Sequence, residues 1–148
     1  MYVGLAVVLA TMFSALSATG DTPETPKAVQ KIVVHLSHFT DDLHRCFMAL
    51  KIGTLMQKSG AHVTLFLDLE GVRLAERRQT LDMTWNSDTP TLLKHYEDFI
   101  GAGGKVLLCP DSAHSAHIGD MSLKKHAEIG SEPVLGKMLL EADKILDY

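Results

Sequence analysis

Three short apolar runs, "KIVVHL" from Lys31, "HVTLFLDL" from His62 and "KVLLC" from Lys105, constrain this chain more than any other feature. They are rich in aliphatic and β-branched residues and lack a polar alternate, as expected of strands covered on both faces. Helical periodicity separates them. After the first run, Thr40 is a suitable N-cap, Asp41 and Asp42 suit the positive end of a helix, and Leu43, Phe47, Leu50 and Thr54 recur at helical spacing until Lys58 and Gly60. After the second, "VRLAERR" reads as the short helical start of a connection, and "QTLDMTWNSDTP" has no clear period. Pro90 then stands at a first helical position behind Asp88 and Thr89, with Leu92, Leu93, Tyr96, Phe99 and Ile100 forming one apolar face that "GAGG" ends.

The remainder continues the alternation. "KKHAEIG" contains a short fourth strand, "SEPVLGKMLLEAD" is a helix with Ser131 near its cap, and "KILDY" is a fifth strand. Strands alternating with helices predict an α/β fold, a parallel sheet with helices on both faces. No internal repeat interrupts the pattern.

The 148 residues, 46% of them hydrophobic, suffice for one domain with a substantial core. A net charge of −4 with no lysine or arginine run gives no electrostatic footprint for nucleic acid. The opening "MYVGLAVVLATMFSALSATG" is apolar from Tyr2 to about Leu16 and then turns to small residues, the pattern of an export signal. Residues 1–19 are therefore expected to be a signal peptide, or an uncleaved membrane anchor, residues 20–30 a tether, and residues 31–148 the folded domain. Export would place the protein outside the cytoplasm, in the periplasm of a bacterium, where disulfides are permitted. The two cysteines, Cys46 and Cys109, lie in different kinds of segment and are read as free.

Among candidate motifs, "GAGGK" lacks the order of a phosphate loop, since its glycines close a helix and open a strand; helix capping is the expected role. G-x-S-x-G, C-x-x-C and H-E-x-x-H are absent, which removes the commonest hydrolase, thioredoxin-like and zinc-protease readings. Cys46 shares the apolar helix face of Leu43 and Leu50 and is expected in the core. Cys109 ends a strand, and ligands of open parallel sheets bind outside the carboxyl ends of strands. Pro110, Asp111 and Ser112 after it favour a helix start whose positive end would favour the thiolate, although Asp111 adds opposing charge. A packed strand-end thiol is the plainer role for it. A rival role is metal binding: Cys109, His114 and His117, with His35 or His38, could ligate zinc or copper.

From Lys31 to Tyr148 the chain resembles the DsrE/DsrF-like (DsrEFH) sulfur-relay family. The resemblance lies in the opening strand with its "HF" turn, in "LKIGTLMQKSGAHVTLFLDLEGVRLA", in "LLC" at the end of the third strand and in the closing "LLEADKILDY". It implies a three-layer α/β/α sandwich with a parallel sheet of about five strands, assembled into homo-oligomers, trimers or hexamers. It also implies that Cys109 carries sulfur as a persulfide between donor and acceptor proteins or small sulfane-sulfur compounds, as a sulfurtransferase or sulfur carrier without an organic cofactor. The chain departs from the family pattern at Ser112, where a second cysteine is frequent, and at Ala116 and His117, where an arginine-glycine pair is.

Three functions follow as expectations: an exported sulfur carrier acting through Cys109, with His38, Ser112, His114 and His117 lining or assisting the site; a zinc- or copper-binding module; and a non-catalytic oligomeric scaffold in which Cys109 is packed. Met83 and Trp85, large apolar residues in the segment without a period, are expected near a subunit contact; burial of Trp85 in the core is the alternative.

Overall fold

The computed structural model describes residues 28–148 except residue 88. The expected leader, the tether up to residue 27, and Asp88 lie outside the described residues. Five strands, β1 (Lys31–Leu36), β2 (His62–Leu67), β3 (Lys105–Leu108), β4 (Ala127–Ile129) and β5 (Lys144–Asp147), form one sheet in the order β4-β3-β2-β1-β5. Every pairing is parallel. The three runs that open the sequence argument are its three central strands, which explains their lack of polar alternation.

The register divides the side chains into two sets. Val34, Leu65 and Val106 are aligned across the centre, as are Leu36, Leu67 and Leu108. These point into the main core with Phe47, Leu50, Tyr96 and Phe99 from two helices, α1 (Leu43–Lys58) and α2 (Leu92–Gly101). Leu36, Leu67 and Leu108 are completely buried, each contributing about 1.5–3 kcal/mol of transfer free energy. The other face carries Val33, His35, Phe66 and Leu107. A short helix, α3 (Pro110–Ser115), follows β3, and α4 (Glu132–Glu141) carries the chain from β4 to β5 at the opposite edge. Met138 of α4 lines a cleft with Val33 and Thr64, which places α4 on this second face. The result is the expected three-layer α/β/α sandwich.

The helix ends show which local contacts prevail. Asp42, not Thr40, caps α1: its Oδ1 accepts the Arg45 N–H at 3.3 Å. Asp41 is used one step earlier, accepting the Phe39 N–H at 2.7 Å in the turn that leaves β1. Thr91, not Pro90, starts α2, because its hydroxyl accepts the Lys94 N–H at 3.2 Å. Pro90 stands just outside the cap. "GAGG" does end α2 as a cap: the Gly103 N–H donates to Ile100 and the Gly104 N–H to Phe99, with Gly103 at φ 94°.

The connection after β2 forms a 3-10 segment, Leu69–Ala75. Gly71 explains its tightness, since a Cβ there would stand 2.1 Å from the carbonyl oxygen of Leu36. Only a bare backbone can press this segment against the end of β1. In the segment that follows, Leu81 is buried, whereas Trp85 is 49% exposed and its ring lies tilted against His44, 3.6 Å between ring centroids. Core burial of Trp85 is thus not what the fold provides.

Candidate functional site

Cys109 follows β3 directly, and its N–H donates to the Leu67 carbonyl at 2.8 Å, extending the ladder by one bond. Its backbone stays extended while its carbonyl accepts the Ala113 N–H at 2.9 Å, which makes it the N-cap of α3, with Pro110 at the first position. The thiol therefore stands half-buried at the carboxyl edge of the sheet and makes no capping bond of its own. Because α3 has six residues, fewer than two turns, its dipole is small beside that of a full helix.

Cys46 is chemically the opposite. It is fully buried in α1, and its Sγ lies 3.3 Å from the His38 carbonyl and 3.4 Å from that of Phe39, donating to both. Burial first, then the charges of Asp41 and Asp42, push its pKa up to about 12. Its thiolate is scarcely populated at neutral pH. Both cysteines are free, as expected.

The remaining expected residues surround Cys109 unequally. Ser112 Oγ accepts the Leu69 N–H at 3.0 Å and so ties α3 to the start of the 3-10 segment. His114 and His117 are exposed at the far end of α3 from the thiol. His117 has a left-handed backbone, φ 57°, and its N–H donates to His114 while Ile118 donates to Ala113. His38 lies in the turn after β1, two strand positions from β3, with its Nδ1 2.5 Å from Asp41 Oδ2. The Phe39 N–H, and after it His38, hold the Asp41 carboxyl below its ordinary value.

His35 stands on β1 between two carboxylates. Its Nδ1 is 2.6 Å from Asp147 Oδ1 on β5, and its Nε2 is 2.9 Å from Asp68 Oδ1, immediately after β2. The second contact has ion-pair distance without hydrogen-bond alignment: Nε2 and that Oδ1 are both buried atoms without a hydrogen-bond partner. The ring stacks on Phe66 at 5.3 Å. The sequence offers His35 as one alternative metal ligand, and nothing local in it marks Asp68 or Asp147 as its neighbours. The rule that singled out Cys109, attention to the residue after a strand, would also have found Asp68.

A cleft of about 430 Å³ lies between Leu69, Glu70 and Arg73 on one side and Asp111, Ser112 and Ser115 of α3 on the other. Arg73 and Glu70 pair at 2.9 Å along its wall. Another cleft of about 430 Å³, lined by Lys31, His62 and Met138, lies at the amino ends of the strands, away from Cys109. Among the described residues, no three His, Cys, Asp or Glu side chains converge as a metal site, and the histidines expected to join Cys109 do not gather round it. Nor is any described helix long and apolar enough to cross a membrane.

A family model described as the DsrE/DsrF-like family matches residues 30–148. No curated protein matches the chain. Among solved structures, the YchN protein from E. coli is 23% identical, with a TM-score of 0.67 over 81% of this chain and 100% of its own. A protein of unknown function from Methanobacterium thermoautotrophicum is 12% identical, with a TM-score of 0.61 over 80% of this chain and 99% of its own. One from Bacteroides thetaiotaomicron is 16% identical, with a TM-score of 0.55 over 80% and 95%. At these identities the likeness is one of fold.

Proposed function

Because this chain belongs to the DsrE/DsrF-like family, we propose that it handles sulfur, with Cys109 as the thiol that receives sulfane sulfur and passes it on as a persulfide. The observation that carries this reading is the contrast between the two thiols. Cys46 is sealed in the core with its pKa pushed up to about 12, whereas Cys109 is half-buried at a strand's carboxyl edge beside a cleft-bearing helix. Thiol exchange needs a nucleophile, access and a good leaving sulfur, and requires no organic cofactor. The partners are a sulfur donor and a sulfur acceptor, each a protein thiol or a small sulfane-sulfur compound. With residues 1–19 read as an export signal, the exchange takes place outside the cytoplasm.

Assembly into a homo-oligomer belongs to the same reading. Val134, Leu139 and Leu140 on α4 and Ile145 on β5 are all exposed, and α4 has no fully buried residue. Large apolar side chains left exposed in this number support a contact between molecules. Trp85, half exposed, is a second apolar element outside the core.

Competitive alkylation tests the assignment. With limiting iodoacetamide and native protein, Cys109 should be modified and Cys46 spared until denaturant is added, and Cys109→Ser should abolish the native reaction without loss of fold. Equal labelling of both thiols, or an inert Cys109 in folded protein, would contradict the reading.

A further inference from the structure

At the amino ends of the central strands, away from Cys109, the sheet face beneath α4 turns polar. Lys31 is aligned with His62, and Thr64 with Lys105. Their neighbours Ile32, Val63 and Val106 belong to the main core, so Lys31, His62, Thr64 and Lys105 all stand on the opposite face. With strands about 4.8 Å apart and same-face positions about 6.6 Å apart, the Cα atoms of Lys31 and Lys105 are separated by about 12 Å, with His62 and Thr64 between them. Flexible lysine stems reach a common anion across that span.

These four residues form the floor of the cleft of about 430 Å³ that Met138 and Glu141 of α4 help to line. Packing does not account for such a floor. A helix is held on a sheet by apolar side chains, yet α4 has no fully buried residue and crosses two lysines, a histidine and a threonine here. Among the described residues, Lys31 has a carboxylate partner, Glu141 at 2.8 Å, whereas the side chains of His62 and Lys105 have none. The chain as a whole carries a net charge of −4. A concavity in which basic side chains outnumber the single carboxylate therefore runs against the average, and concave walls focus its potential on an anion.

We infer that this cleft binds a small phosphate monoester, its phosphoryl group held by Lys31, His62, Lys105 and the Thr64 hydroxyl and its organic part lying against Met138. The lysines supply charge, while an imidazole N–H, present in either tautomer, and the hydroxyl supply directed donors. A doubly charged tetrahedral oxyanion engages all four groups; a carboxylate, with one charge and two oxygens, leaves some of them idle. The volume lies within the range of about 300–1,000 Å³ usual for small-molecule sites and is larger than inorganic phosphate requires. Glu141 competes with the phosphoryl group for Lys31. The site is independent of sulfur chemistry at Cys109, which lies at the other ends of the strands.

Isothermal calorimetry on the full chain tests this with phenyl phosphate, using inorganic phosphate and benzoate as comparison probes. Phenyl phosphate should bind saturably and more tightly than either. Lys105→Gln and His62→Gln should each weaken it about tenfold, the loss of one hydrogen bond to a charged group. Glu141→Gln should tighten it about threefold by releasing Lys31, a gain that damage to the fold would not produce. Lys51→Gln, exposed on α1 in the opposite layer, changes the net charge as much as Lys105→Gln and should leave the affinity unaltered. No saturable heat with phenyl phosphate, equal losses in Lys51→Gln and Lys105→Gln, or tighter binding of benzoate would overturn the inference. Inorganic phosphate binding as tightly as the ester would also overturn it, in favour of a site for the free anion.

Discussion

Ser112 illustrates how a side chain beside a reactive position can serve the fold. Its hydroxyl accepts the N–H of Leu69, 43 positions earlier, and Leu69 has a left-handed backbone at φ 43° that a leucine adopts unwillingly. Replacing Ser112 by alanine leaves that N–H dependent on solvent and should cost about 1 kcal/mol, read as a lower urea midpoint. The alkylation rate of Cys109 should stay within about twofold, since the lost bond does not involve the thiol. An unchanged midpoint would show that the tether contributes nothing. Sequence spacing identified Ser112 as a neighbour of Cys109 but gave no sign of this bond, because its partner lies in another loop. The contact between His35 and Asp147, 112 positions apart, was hidden for the same reason. By contrast, the core position of Cys46 and the strand-end position of Cys109 were legible, because the first follows from the period of its helix and the second from the end of its apolar run.

At the scale of elements, three helices end alike. After α1 the Gly60 N–H donates to Gln57 and Ala61 to Met56; after α2 Gly103 and Gly104 repeat the arrangement; after α3 His117 and Ile118 do so again. The left-handed residue is glycine in the first two, φ 92° and 94°, and histidine in the third, φ 57°. A side chain at such a position costs about 1 kcal/mol relative to glycine. His117→Gly should therefore stabilise the protein by about that amount, raising the thermal midpoint, while leaving Cys109 chemistry unaltered; a lower midpoint would mean that the imidazole makes a compensating contact. The helix starts were less legible than these ends. Thr40, Asp41 and Asp42 are all competent caps, and the choice fell to Asp42 only because Asp41 is drawn off by the Phe39 N–H.

For the molecule as a whole, three central strands could be read directly from apolar runs, since strands enclosed on both faces need no polar alternate. Strand order could not, because it depends on α4 crossing from β4 to the far side of β1. That crossing puts a thinly packed helix and an edge strand at the surface, with Leu140 90% and Ile145 49% exposed. If this surface joins copies of the chain, light scattering should give a multiple of the chain mass, and Leu140→Asp should return it toward the monomer with the fold retained. A monomer at all concentrations for the unaltered protein would show that the face is not self-associating. The pairing of His35 with Asp147 likewise exists only once β1 and β5 are side by side.

Sulfur carriage by Cys109 is open to direct measurement. Incubating the metal-free, folded protein with a sulfane-sulfur donor and mapping its peptides by mass should locate one added sulfur atom on Cys109 and none on Cys46. The adduct should disappear on addition of an acceptor thiol and never form in Cys109→Ser. Sulfur found on Cys46, or on neither thiol while Cys109 remains reduced, would contradict the account.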